Sequence, residues 1–276
     1  MFAWFRDLKR KRLLNEPFPL EWDAFIRADV PHDFCLTSDE QQALREHVQV
    51  FIAEKTWEGG SGFTITDEMK VTISAQACLL LLGLPNHNFY PNLRTIIVYP
   101  GAYRVREKRP GVAGVVHIGR SSRLGEAWTT GQVILGWDNV RRTCRDPEDG
   151  HNVVLHEFAH LLDMRDGYAD GVPPLHEGQA QYDEWAAVMA PEYDRLVAQV
   201  QYGMVEVLDG YGATNHAEFF AVATECFFEK PLQLRERHPR LYEVLQRYYR
   251  QDTAARAEAC VLPDLRLDSF PDTDPF

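Results

Sequence analysis

The chain has 276 residues, of which 45% are hydrophobic and 25% are charged, a composition typical of a folded globular protein. Its 41 acidic and 29 basic side chains give a formal net charge of -12, which disfavours binding to the phosphate backbone of DNA or RNA. The five cysteines are scattered and form no C-x-x-C pair, so we expect reduced thiols rather than a disulfide framework or a cysteine zinc site.

The sequence shows no signal for membrane insertion or export. The apolar run at 77–84 is far too short to span a bilayer, and the apolar opening of five residues is too short for a signal peptide. The basic cluster from Arg6 to Arg12 could contact an anionic surface, but we interpret it as a solvated charge run. The sequence therefore predicts a cytoplasmic protein with neither a membrane nor a nucleic acid as direct partner.

The N-terminal part of the chain is predicted to be irregular and then helical. Prolines at 17, 19 and 31 indicate an irregular arm over residues 1–34. Capping-box patterns, Thr37 with Glu40 and Ser38 with Gln41, predict a helix over 38–55. Dense apolar residues predict a second helix over 66–83.

Two segments rich in β-branched residues follow, at 94–99 and 132–137, and each is predicted to be a strand. The stretch 102–130 between them carries glycines and charges, and we expect short strands and loops there. From 146 onward the pattern is helical: a capping residue, a first-turn proline and acidic residues predict that the first helix begins near Asp146 and ends near Asp163. Further helices are expected at 177–201, 215–229 and 239–250.

These elements predict an α+β fold, a mostly helical single domain with a small β-sheet. The domain is expected to cover residues 35–262, between the N-terminal arm and a loose tail at 263–276. No internal repeat and no linker that would separate independent domains is visible.

The clearest chemical signal is the sequence His156-Glu157-Phe158-Ala159-His160. Residues four apart on a helix differ by about 40° of rotation and 6 Å of rise, so both imidazoles project from one face. They can therefore share a zinc ion at about 2.0–2.1 Å each, while Glu157 can reach a water beside it. Apolar neighbours predict a helix that is buried nearly all round, where polar side chains need partners. A chance match on a surface helix is the alternative.

Zinc in a catalytic site usually has three protein ligands, so a third is required. Asp163 and Asp166 stand where a metzincin would have glycine and histidine, which excludes that class. Glu218 is the best candidate because it lies in an otherwise apolar helix, although an acid in the first helical turn could also serve the helix dipole. The candidate glutamates are Glu177, Glu184, Glu206, Glu218 and Glu225. A purely structural zinc is disfavoured, since such sites are usually closed by four cysteines or histidines.

Several segments resemble the Mlc titration factor A (MtfA) peptidase family of bacteria, whose catalytic core is related to that of anthrax lethal factor. The resemblance covers roughly residues 35–255. The matching segments are 114–117, Trp128 with 131–137, His156 to Asp163, 171–173 and Tyr211 to Ala221.

This resemblance implies a zincin-like fold, with the sheet beside the zinc-binding helix, and a gluzincin-type zinc peptidase. His156, His160 and Glu218 would be the zinc ligands, with Glu157 as the general base. Tyr211 matches the family's conserved tyrosine, which could donate to the developing oxyanion; otherwise it is an ordinary turn tyrosine. His117 matches a histidine that can also reach the zinc; on its own it would be a strand-end residue.

The site also differs from many gluzincins, which place an acid four residues after the ligand glutamate to orient a histidine. Val222 stands at that position here, so another residue must orient the histidine. Asp163 and Glu225 are candidates for this role.

Two functions are consistent with the resemblance. The first is zinc-dependent, aminopeptidase-like hydrolysis of peptide bonds. The second is a regulatory binding protein that sequesters the glucose-regulon repressor Mlc and so affects transcription, with peptidase activity secondary. Three tyrosines on an arginine-rich helix are a candidate docking face for such a partner, although they are equally typical of core positions: Tyr242, Tyr248 and Tyr249.

Overall fold

The computed structural model describes residues 2–85, 87–101, 131–145, 150–204 and 206–260. Within this part the chain is mostly helical with one small three-stranded sheet, so the predicted α+β class is confirmed. Among the described residues no helix combines the length and the apolar content needed to cross a bilayer.

The first 30 residues are helical, and the predicted irregular arm is therefore wrong at the level of secondary structure. Helix α1 covers Phe2–Leu14 and helix α2 covers Leu20–Asp29. The prolines delimit these helices: Pro19 is the N-cap residue of α2, and Pro31 begins the 3-10 turn Pro31–Cys35. Proline is tolerated at the start of a helix because the first N–H groups have no intrahelical acceptor. The predicted domain boundaries themselves stay predictions.

Helix α3, Ser38–Glu54, begins as its capping box predicts. The Thr37 hydroxyl accepts from the Glu40 backbone N–H, and the Glu40 carboxylate accepts from the Thr37 backbone N–H at 2.9 Å. Helix α4, Asp67–Leu79, packs against α3 and is shorter than the predicted 66–83. Every residue of α4 from Val71 to Leu79 is buried, so this helix forms part of the core.

The sheet is parallel and has the order β1-β2-β3. Strands β2, Thr95–Tyr99, and β3, Gln132–Gly136, are the two predicted strands, whereas β1, Thr56–Gly59, was not predicted. Side chains of β2 and β3 alternate between buried and half-buried, so one face of the sheet belongs to the core. Strand β3 contacts the helix that carries the histidine motif.

Two helices form the centre of the second half. Helix α6, Val153–Asp163, is buried at every residue, and helix α8, His216–Glu229, is buried at every residue except the first. The predicted start near Asp146 is wrong, because residues 150–152 are not helical and Asn152 is the N-cap; residues 146–149 lie outside the described part. Helix α5, Trp137–Arg145, precedes α6 and was not predicted.

The remaining helices surround this pair. Helix α7, Gln179–Gln201, and helix α10, Pro239–Tyr249, agree with the predicted 177–201 and 239–250. Helices α9, Pro231–Arg237, and α11, Thr253–Ala259, complete the described chain. The stretches predicted as loops and short strands at 102–130 and as a loose tail at 263–276 lie outside it.

Two further expectations are wrong. Cys35 and Cys260 form a disulfide between the 3-10 turn after α2 and the end of α11, while the other three cysteines are free and buried. The partners are 225 residues apart, so no local spacing could have indicated the pair. The three tyrosines of the candidate docking face are at most 2% exposed, since α10 turns them into the core.

Candidate metal centre

Helix α6 presents both histidines of the motif at one point. His156 Nε2 and His160 Nε2 are 3.2 Å apart, and each residue is only 1% exposed. This is the consequence of a four-residue spacing on a regular helix. Asn152 starts that helix: its side-chain oxygen accepts from the backbone N–H groups of Val154 and Leu155.

Helix α8 brings a carboxylate to the same point. Glu218 Oε2 lies 3.0 Å from His156 Nε2 and 3.3 Å from His160 Nε2. Glu218 is the third residue of α8, and its backbone N–H donates to the side chain of the N-cap residue Asn215. The cap fixes where the helix begins, and hence where the carboxylate points.

A second glutamate on α8 fixes the orientation of one imidazole. Glu225 Oε1 lies 2.5 Å from His156 Nδ1, and its other oxygen accepts from the backbone N–H of Asn152 at 2.7 Å. A proton on Nδ1 satisfies Glu225 and directs the lone pair of His156 Nε2 towards the point of convergence. Of the two candidates for this role, the structure brings Glu225 to the histidine.

Asp163 performs a different task. One of its oxygens accepts from the backbone N–H of Gly171 at 3.0 Å. Gly171 has a φ of +80°, and a Cβ there would lie 2.4 Å from the backbone oxygen of His216, so a side chain would push away the start of α8. This contact, which sequence reasoning missed, holds the loop after α6 against the helix that carries Glu218.

The three converging atoms have the spacing that a divalent metal ion requires. Ligand atoms bound tetrahedrally at about 2.1 Å lie roughly 3.3 Å apart. The observed separations between the two imidazole nitrogens and the carboxylate oxygen are 3.0, 3.2 and 3.3 Å. Lone pairs that face one another at these distances inside a protein repel unless a cation lies between them. The residues present therefore fit a metal ion.

The charge state of the cluster also suits metal binding. Burial by itself raises the pKa of Glu218, but hydrogen bonds with His156 and His160 outweigh it and hold that pKa well below its usual range. Burial lowers the pKa of His160, which keeps this imidazole neutral. A neutral imidazole and an ionised carboxylate are the forms in which these groups bind metals.

The two residues predicted to act in catalysis both lie at this cluster. Glu157 is 4% exposed and follows His156 directly on α6, so it projects about 100° further round the helix. Tyr211 lies in the 3-10 turn Gly210–Thr214, and its hydroxyl donates to Glu218 Oε1 at 3.3 Å. Asp209 positions the turn by accepting the backbone N–H of Tyr211.

The other candidate glutamates lie elsewhere. Glu177 and Glu184 form ion pairs with Arg247, and Glu206 contacts His238. His117, the predicted additional ligand, lies outside the described residues. Among the described residues, His156, His160 and Glu218 are the group of side chains whose ligand atoms converge closely enough to hold a metal ion.

Comparison with known proteins adds family information to this geometry. A family model described as "Glucose-regulated metallo-peptidase M90" matches residues 5–250. An uncharacterised protein of Synechocystis sp. is 42% identical over 244 residues, which are 88% of each chain. Proteins named Mlc titration factor A from Yersinia pestis and Yersinia pseudotuberculosis are 31% identical over 226 residues, covering 80% of this chain and 81% of theirs.

Proposed function

The chain belongs to the family of glucose-regulated metallo-peptidases M90, and from this membership and the site geometry we propose that it is a zinc-dependent peptidase. His156, His160 and Glu218 hold the metal, Glu157 is the general base, and Tyr211 assists the oxyanion. The observation that carries the proposal is the convergence of three buried lone-pair atoms at 3.0–3.3 Å from one another.

Zinc at this position would act as a Lewis acid on the scissile carbonyl and would lower the pKa of the attacking water. Zinc is the proposed metal because two imidazoles and one carboxylate, with an open fourth position, are the usual ligands of catalytic zinc. Glu225 holds the His156 ring in the required orientation, and its hydrogen bond makes that imidazole a stronger electron donor.

The protein side chains carry the proton transfers. Glu157 takes a proton from the attacking water and delivers it to the leaving amine. The Tyr211 hydroxyl, which contacts Glu218 in the structure, is near enough to the reacting carbonyl to donate to its oxygen as negative charge develops. A donor of this kind contributes up to about 3 kcal/mol of transition-state stabilisation.

The variant Glu157→Gln tests this assignment. We expect it to retain one zinc per chain by metal analysis and to lose hydrolysis by about 10²–10⁴-fold, because the amide cannot accept the proton. Glu177→Gln is the matched control, since that glutamate pairs with Arg247 on the surface; it should leave both readouts unchanged. Activity of Glu157→Gln close to that of the wild type, with zinc bound, would exclude Glu157 as the base.

The finer activity that we propose is aminopeptidase-like. A panel of chromogenic amino-acid anilides and N-acetylated peptides distinguishes the possibilities. Preferential release from substrates with a free α-amino group supports aminopeptidase activity, whereas equal cleavage of the acetylated peptides shows an endopeptidase.

A second candidate function is capture of the repressor Mlc, with an effect on transcription. It is supported by the relatives named Mlc titration factor A, which cover four fifths of this chain. A pull-down with Glu157→Gln separates this function from hydrolysis, because capture does not require the base. Binding of Mlc by both wild type and variant supports sequestration, and the absence of binding by either removes it.

The cytoplasm is the proposed location, since both peptide substrates and a transcriptional repressor are found there. Cell fractionation tests it. Recovery of the protein with periplasmic or secreted markers would contradict the proposal and would fit the observed disulfide, because disulfides persist mainly in oxidising compartments.

A further inference from the structure

A cavity of about 250 Å³ lies apart from the metal centre, between the 3-10 turn Pro31–Cys35, the junction of α8 with α9, and α11. Part of its wall is apolar, with Pro31, Phe228 and Leu232. The rest is polar and carries charges of both signs, from Glu229 and Arg256. This volume suits a small amphipathic molecule rather than a peptide.

The disulfide Cys35–Cys260 forms part of the same wall. Both cysteines are half-buried, so their sulfur atoms lie where a molecule in the cavity can approach them. The other three cysteines are 0–2% exposed, and burial raises the pKa of their thiols. Reactivity toward external thiols is therefore concentrated at this one pair.

A histidine in the wall adds an independent observation. Neither ring nitrogen of His32 has a hydrogen-bond partner within the part of the chain that the structure describes. Its Nε2 is 3.7 Å from Glu229 Oε1, which is beyond hydrogen-bond distance. A buried ring nitrogen without a partner favours a molecule that supplies a donor in the cavity.

We propose that this cavity binds a low-molecular-weight thiol bearing an ammonium and a carboxylate group, and that the thiol exchanges with Cys35–Cys260. The ammonium group matches Glu229 and His32, and the carboxylate matches Arg256. The thiol's thiolate attacks one sulfur of the pair, forms a mixed disulfide with that cysteine and releases the other cysteine as a thiolate, which then takes a proton from water. A second thiolate attacks the mixed disulfide, which releases the oxidised thiol dimer and leaves both cysteines reduced.

The test treats native protein, purified without reductant, with L-cysteine, followed by alkylation and peptide mass mapping. We expect cysteinylation at residue 35 or 260 at a rate within about tenfold of that of the unfolded chain, because access limits exchange at folded sites. We expect no label on Cys78, Cys144 or Cys226. Five free thiols before treatment, or exchange that occurs only after unfolding, would overturn the proposal.

Two variants show whether the cavity is the route of access. Ala257→Phe places a ring in the cavity and should slow exchange by about tenfold. Ala255→Phe on the exposed side of the same helix is the matched control and should react like the wild type. Leu232→Trp narrows the opposite wall and replaces Ala257→Phe if the latter does not fold. Equal rates in a cavity-filling variant and in the control would contradict the proposal.

Discussion

Two buried histidines in this protein have nearly the same surroundings and different chemical prospects. His156 has Glu225 at 2.5 Å from Nδ1 and Glu218 at 3.0 Å from Nε2. His238, at the junction of α9 and α10, has Glu192 at 2.6 Å from Nδ1 and Glu206 at 3.0 Å from Nε2. Both residues are 1% exposed.

The difference lies in what surrounds the carboxylates. Glu206 also accepts from the side chain of Gln199 and from the backbone N–H of Val207, and Arg195 lies within 4 Å of both glutamates. Hydrogen-bond donors and positive charge therefore satisfy the carboxylates of that cluster. At His156 the corresponding position is taken by a second imidazole nitrogen, which brings another lone pair instead of a positive charge.

A histidine between two carboxylates is therefore insufficient to indicate a metal site. The second imidazole decides, because it leaves lone pairs facing one another that only a cation can satisfy. The following predictions test this contrast, beginning with the largest expected effect.

Removal of the second imidazole should abolish the metal centre. His160→Ala is expected to reduce bound metal from about one per chain to nearly none and to lower peptidase activity by at least a thousandfold, on the order of the contribution of a catalytic metal. Metal analysis and hydrolysis assays measure both effects. His238→Ala is the control for metal binding and should retain the ion; full metal occupancy in His160→Ala would contradict the contrast.

The second cluster should matter for stability instead. His238→Ala leaves Glu192 and Glu206 without the imidazole between them, and the loss of one member of a buried ionic pair costs about 3–5 kcal/mol. Urea unfolding monitored by circular dichroism measures the change. A loss below about 1 kcal/mol would show that Arg195 and water compensate for the missing imidazole.

A buried acid at the end of α6 gives a pH-dependent contrast with both clusters. Burial raises the pKa of Asp163 from 3.8 to about 7, so the folded state holds the proton more tightly than the unfolded state. Stability from this group is present below pH 4 and is lost as the pH rises through about 7, by up to a few kcal/mol.

The variant Asp163→Asn removes this titration and keeps an oxygen for the Gly171 N–H. The unfolding free energy of the variant, measured between pH 4 and 8, should therefore decline less with pH than that of the wild type. Parallel pH profiles for the two proteins would show that Asp163 does not titrate in this range.

The smallest expected effect concerns the carboxylate that orients His156. Glu225→Gln keeps a hydrogen-bond acceptor but removes the charge, and we expect zinc affinity to fall by about 10- to 100-fold. Competition with a chromophoric chelator measures this change. Glu192→Gln, the equivalent substitution at His238, should leave zinc affinity unchanged, and equal losses in the two variants would indicate a general effect of buried charge.

The sequence predicted the parts of the site that depend on local spacing. The four-residue interval from His156 to His160 determines a shared helix face, and the position of an acid within an apolar helix indicated Glu218. The start of α3 at Ser38 followed from its capping box for the same reason. Such features depend on a few neighbouring residues and elementary helix geometry.

What the sequence could not predict depends on contacts between distant segments. Glu225 and Asp163 were equal candidates for orienting a histidine, and only the packing of α6 against α8 brings the Glu225 carboxylate to His156. The pairing of Cys35 with Cys260 crosses 225 residues. The prolines at 17, 19 and 31 suggested irregular chain, because a proline pattern does not show whether the intervening segments find a surface to pack on.

Helix α8 carries Glu218, Glu225 and Glu229 at intervals of seven and four residues, which places all three within about 20° of one line along the helix. Glu225 accepts from the backbone N–H of Asn152, and Glu229 accepts from its side-chain amide. Inserting or deleting one residue between these glutamates would turn part of the line by about 100°, so it would detach either the ligand or the anchor at the start of α6. Homologues that keep this centre should therefore vary in the sequence of α8 but not in its length between positions 218 and 229.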